Sequence, residues 1–203
     1  MVKKINVMIL LLLISSIVPV CVNAQFEMPK VGDTWKYKIG QGGYKTEVVT
    51  QLLDEHSYIL KVMTTRGTST TTKWKCFSFE RDMMNSGSRL FVDVPVNDDG
   101  SVDDRYGSHP GEVCLRIPLV IKDTWINQWD RGYSGTMEGV DNVLKYRDSA
   151  KVIAGTFHKV WTIQRIYRGV GIQEFYVYSE EVGLIELIDG GGNAVLELVS
   201  YKK

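Results

Sequence analysis

Trp35, Tyr37 and Ile39 alternate with Lys36 and Lys38, one apolar residue to one charged. A strand points successive side chains to opposite faces, so this period of two predicts a half-buried β-strand. Gly40-Gln41-Gly42-Gly43 follows as a glycine-rich reversal, where positive φ costs little. It leads into a second strand over residues 44–53. The polar turn 54–57 opens a third strand over 58–65, and Arg66-Gly67 turns the chain into a fourth over 70–79. All four are rich in β-branched and aromatic residues, which fit a pleated surface.

The second half is written in the same style. Residues 157–168 and 170–178 are expected to pair across Gly169, and residues 184–189 and 194–201 across Gly190-Gly191-Gly192-Asn193. The count is ten or eleven strands. Residues 97–112 and 128–134 read as loops, and residues 80–86 as a place for a helical turn. Ala154-Gly155-Thr156 has the small, permissive composition of a tight reversal, with positive φ expected at Gly155. One stretch is echoed: Pro29-Lys30-Val31-Gly32-Asp33-Thr34-Trp35 returns as Pro118-Leu119-Val120-Ile121-Lys122-Asp123-Thr124-Trp125, with one residue inserted. Two related halves, 29–96 and 118–203, suit a large sheet that curls on itself. The expected fold is all-β or β-dominated: a curved antiparallel sheet, forming an open or partly closed barrel.

The first 24 residues stand apart. Lys3 and Lys4 precede an aliphatic run from Val7 to Leu13, and Val22-Asn23-Ala24 offers short side chains where a signal peptidase cuts. The segment reads as a signal peptide removed after Ala24, with Pro19 arguing against a membrane anchor. Taking 24 residues from 203 leaves 179 as a single β-rich domain over 25–203. The cut removes two lysines and no acid, so 24 basic residues become 22 against 24 acidic ones. Such a balance has no excess to grip phosphates, which argues against nucleic acid as a partner. An exported chain, secreted or periplasmic and soluble once processed, is the expectation.

Export also bears on the cysteines. Cys21 leaves with the signal, and Cys76 and Cys114 remain. An oxidising compartment permits one disulfide between them; two separate thiols on different strands is the other reading.

Motifs for chemistry do not survive inspection. Gly132-Tyr133-Ser134-Gly135 resembles a nucleophile elbow, but Thr136 stands where the last glycine belongs and no helical pattern follows. His56, His109 and His158 are too far apart for local metal-ligand spacing. Asn97, Asp99 and Asp103 are the one concentrated set of hard oxygen donors, a partial calcium loop with Pro95 at the first ligand position. A solvated Asp-Gly turn explains them equally. Gly190-Gly191-Gly192 leads into an alternating strand and not into a helix, so it is a hairpin turn and no phosphate cradle. No cofactor is implied, and a catalytic role is not expected.

Aromatic residues carry the remaining signal. Trp35, Tyr37, Trp125, Trp161 and Tyr176 fall on predicted strands. Either they fill a core, or a curved sheet turns several of them into a concave apolar pocket. On the second reading they are the candidate ligand-binding residues.

Three stretches resemble a family. Residues 29–37 resemble the opening P-x-x-V-G-x-x-W-x-Y of small exported bacterial and archaeal proteins grouped as domains of unknown function. Residues 152–157 resemble their V-P-A-G-T-F turn, with Ile153 in place of the proline. Residues 176–185 and 196–201 resemble their W-Y-x-P-G-V-G-L-V … L-x-x-Y ending, with Glu180 and Glu181 replacing proline and glycine. The resemblance implies a curved antiparallel sheet, similar to the half-barrels of the lipoprotein carriers LolA and LolB, which hold acyl chains on a concave face. The expected function is therefore a non-enzymatic binding module for a lipid, an acyl chain or a hydrophobic segment of an envelope protein. An envelope structural module with a filled core is the alternative, and a hydrolase with unidentified residues the third reading.

Overall fold

The structure, a computed structural model, describes residues 28–81, 89–94, 96, 112–130 and 136–203. Twelve strands run through them and no helix: β1 (Thr34–Ile39), β2 (Tyr44–Leu52), β3 (Ser57–Arg66), β4 (Ser69–Arg81), β5 (Arg89–Val94) and β6 (Glu112–Ile117). The second six are β7 (Thr124–Asp130), β8 (Thr136–Val152), β9 (Gly155–Tyr167), β10 (Gln173–Ser179), β11 (Gly183–Asp189) and β12 (Ala194–Lys202). All belong to one antiparallel sheet with the order β6-β5-β4-β3-β2-β1-β12-β11-β10-β9-β8-β7.

Each half is a meander, with sequential strands pairing antiparallel as hairpin connections between half-buried strands allow. The first and last strands meet in the middle, with Tyr37 opposite Leu198 and Ile39 opposite Leu196. The two edges are β6 and β7, and only residues 118–123 separate them in sequence. The sheet therefore rolls until its edges face each other, without a backbone ladder between them among the described residues. Side chains hold the seam instead: Leu115 of β6, Leu119 of the link and Trp125 of β7 pack with Val143, Trp161 and Ile163. Across the same seam Arg165 Nη2 of β9 donates to the carbonyl oxygen of Val113 at 3.3 Å.

The echoed stretches fold alike. Asp33 N donates to Lys30 O before β1, and Asp123 N donates to Val120 O before β7, each at 3.0 Å. Gly32 N and Lys122 N donate to Val49 O and Val143 O, and those two valines donate back to Asp33 O and Asp123 O. Asp33 is buried, and its Oδ2 also accepts from Lys30 N at 2.7 Å. A buried carboxylate in a turn is stable only when backbone N–H groups satisfy it, as here.

Several expectations are corrected. Residue 144 is an extra residue in the β8 ladder, between Val143 and Lys145. A bulge reverses the faces beyond it and breaks the period of two, so the longest strand carries no continuous alternation to find it by. That strand brings the count to twelve. Glu80 and Arg81 extend β4 and do not start a helical turn; residues 128–130 belong to β7 and not to a loop. The positive φ expected at Gly155 is present, at +139°, but the β8–β9 reversal itself is made by Ile153 and Ala154, and Gly155 opens β9. Cys76 and Cys114 are not joined by a disulfide. They lie on β4 and β6 with β5 between, so two strand spacings, roughly 9.6 Å, already separate them, beyond the roughly 7 Å that a bridge spans. Asn97, Asp99 and Asp103 lie outside the described residues.

Candidate functional site

Rolling the sheet brings the inner faces of the two halves together over a cavity of about 320 Å³. Its walls come from β1 to β4 on one side and from β10 to β12, with the β10–β11 turn, on the other. Trp35, Tyr37, Tyr58 and Phe77 form the first wall, and Tyr176, Tyr178, Leu184, Leu187 and Leu196 the second. Cys114 and Leu115 of β6 close a third side. The volume lies at the lower end of the range for small-molecule sites, and the lining has their usual chemistry: mainly apolar and aromatic, with few polar groups.

Such large side chains leave a void because their polar tips hold them along the walls. Trp35 Nε1 donates to Val182 O at 2.9 Å, and the Tyr37 hydroxyl donates to Leu184 O at 3.1 Å. A buried indole or phenol needs a hydrogen-bond acceptor, and meeting that need here fixes the ring across the wall. Burial pushes the Tyr37 phenol well above the ordinary tyrosine range, and Glu47, Tyr178 and Tyr58 add to the effect. Tyr37 is therefore a protonated donor at neutral pH.

On the opposite wall the Tyr176 and Tyr178 rings stack nearly parallel, 6.3 Å apart. The Tyr176 hydroxyl donates to Glu174 Oε2 at 2.7 Å, and Tyr167 donates to the same oxygen at the same distance. Burial pushes the Tyr167 phenol up to about 12 and that of Tyr176 further in the same direction. The Arg165 guanidinium lies 5.0 Å from the centre of the Tyr176 ring and makes a paired contact to buried Asp141, with Nε to Oδ1 at 2.8 Å and Nη2 to Oδ2 at 2.9 Å. This arrangement anchors the wall; its groups are paired with one another.

Charge also enters the cavity. Lys45 and Glu47, two apart on β2 and so on one face, form a 2.6 Å ion pair inside it. The Lys45 ammonium also lies 5.5 Å from the centre of the Tyr37 ring, and that of Lys75 lies equally far from Phe77. Glu180 is buried at the cavity edge, where its Oε1 accepts from Trp161 Nε1 at 3.0 Å. These groups give the site a polar margin of both signs.

Of the five residues singled out in the sequence, Trp35, Tyr37 and Tyr176 line the cavity. Trp125 and Trp161 do not, and this corrects the expectation for them. Both are buried in the seam core with Leu119 and Ile163, and the Trp161 ring packs 4.9 Å from that of Tyr146. Their strands curve so that the inner face meets β6 and the 118–123 link, which fill the space. Phe77, Leu187 and Leu196 were missed, since nothing local separates them from core residues. Lys45 and Glu47 were missed for the opposite reason: charges on alternating positions read as a wet face, and here they neutralise each other.

No protein-family model matches the chain, and no curated protein matches it. The three stretches that resemble exported proteins of unknown function are thus not accompanied by a family match. The crystal structure of a candidate exported protein with a YmcC-like fold, from Bacteroides fragilis, superposes on 88% of this chain and 99% of its own, with a TM-score of 0.45 and 10% identity. A likeness at that level does not place the chain in a family.

Proposed function

We propose that this protein is an exported, non-enzymatic binding module for an apolar ligand, a lipid or an acyl chain. The observation that carries the reading is the cavity of about 320 Å³ between the two halves, walled by Trp35, Tyr37, Tyr58, Phe77, Tyr176 and Tyr178. A cavity of that size would hold on the order of ten water-sized groups, enough for a short acyl segment. Burying apolar surface there is favourable by roughly 25 cal/mol per Å². Export rests on the N-terminal signal pattern of residues 1–24.

The test is titration of the protein, stripped of bound lipid, with a fluorescent fatty acid, beside Leu187→Trp. Leu187 lines the cavity, and the larger indole takes up part of its space. Saturable binding by the wild type and its loss in the folded variant is the expected result. No binding by the stripped wild type would discard the apolar-ligand reading. It would leave the structural-module alternative, which the packed Trp125 and Trp161 favour.

A further inference from the structure

The sheet is not continuous around the cavity. β11 pairs with β12 only from Glu186 to Ile188, opposite Glu197 to Ala194, while β12 continues along β1 as far as Lys202. Below Glu186 the two strands part. The tip of the β8–β9 hairpin takes the vacated place on β12: Ala154 N donates to Leu198 O at 2.9 Å, and Ile153 N to Glu197 Oε1 at 3.0 Å. Residues 180–185, which run from the β10–β11 turn into β11, thus have no strand neighbour on the β12 side among the described residues.

What holds them on that side is side chains. Val182 O accepts from Trp35 Nε1 and Leu184 O accepts from the Tyr37 hydroxyl. Glu180, Glu181, Val182, Gly183 and Leu184 all line the cavity, and so do the two donors. On the other side Leu184 and Gly183 pair with Tyr178 and Ser179 of β10, and Glu180 reaches β9, where its N donates to Lys159 O and its Oε1 accepts from Trp161 Nε1. Val182 and Ile185 are buried in the core beneath it, which makes the closed position the resting one.

We propose that residues 180–185 form a flap on the cavity, hinged on the β10 side and latched by Trp35 and Tyr37. Its use as the route for a ligand rests on the binding function above; its existence as a separately opening segment does not. The latch residues are also wall residues, so a group that presses on either ring in the cavity loads the latch directly. A flap of this kind draws on a part of the sheet that is laddered on one side only, as moving segments generally do.

Amide hydrogen exchange without ligand tests it. Tyr37→Phe removes a single hydroxyl, and Trp35→Phe keeps a ring while removing the indole N–H. Trp125→Phe is the control for general loosening, because Trp125 Nε1 is buried without a hydrogen-bond partner and the change removes packing only. Exchange of amides 181–185 should quicken roughly two- to ten-fold in each latch variant, the range expected for one lost hydrogen bond. Amides of β9 and of β2–β3 should keep their wild-type rates, and Trp125→Phe should not single out 181–185. Unchanged exchange of 181–185 in Tyr37→Phe, or an acceleration spread evenly over the sheet, overturns the flap. Fatty-acid association measured on the same variants separates the two ideas: local opening without binding keeps the flap and removes the apolar ligand.

Discussion

Lys122 holds, in the turn before β7, the backbone conformation that Gly32 holds in the turn before β1. Their φ angles are +74° and +97°, and each amide donates at 2.9 Å to a buried valine, Val143 or Val49. The identical hydrogen bonds show that the turn demands a left-handed residue at this place. Glycine meets that demand freely and lysine does not. Lys122→Gly should therefore stabilise the protein by about 0.5–1 kcal/mol, and Gly32→Ala should destabilise it by a similar amount. Urea denaturation of both variants checks this; a loss of stability in Lys122→Gly would mean that the lysine side chain earns its place by contacts.

Trp161 and Leu187 should respond in opposite ways to truncation. Trp161 is fully buried in the seam core, so Trp161→Ala should cost about 3–5 kcal/mol. Leu187 borders a void and leaves fewer neighbours behind, so Leu187→Ala should cost nearer about 1 kcal/mol. Equal losses from chemical denaturation would show that the cavity is filled in solution.

The buried pair Asp141 and Arg165 ties β8 to β9 and, through Val113 O, to the opposite edge. Removing one partner leaves a buried charge, so Asp141→Leu should destabilise by about 3–5 kcal/mol. The double variant Asp141→Leu with Arg165→Met should recover most of that loss. A double variant no better than the single would show that the hydrogen bond to Val113, and not charge neutralisation, is the stabilising contact.

Alkaline pH should unfold the protein through its phenols. Tyr167 is held at about 12 in the folded chain by burial, against about 10 when unfolded. A group with a raised folded pKa contributes stability that is complete below the unfolded value and is lost as pH rises through the folded one. Stability should thus fall between about pH 10 and about pH 12. Phenolate absorbance and loss of β-sheet circular dichroism should move together in that window. Full ionisation of every tyrosine near pH 10 with the sheet intact would refute it.

What could be read from the residues alone is what depends on near neighbours in the chain. Trp35, Tyr37 and Ile39 alternate with lysines because adjacent strand side chains point opposite ways, and that holds wherever the strand lies. Glycines such as Gly42 and Gly192 end strands because their backbone tolerates positive φ locally. The antiparallel meander and the echo before Trp35 and Trp125 follow from the same local chemistry. Which tryptophan meets a cavity and which a packed core was settled by tertiary structure. Trp35 faces a void because Val182, 147 residues away, draws its N–H to the wall. Trp125 and Trp161 face no void because the rolled sheet brings Leu115 and Leu119 against them. The position of the bulge in β8, the inward turn of Lys45 and Glu47 and the parting of β11 from β12 are of the same kind. Each depends on the curvature of the whole sheet, and curvature is the sum of twists and contacts between strands far apart in sequence, which no local pattern encodes.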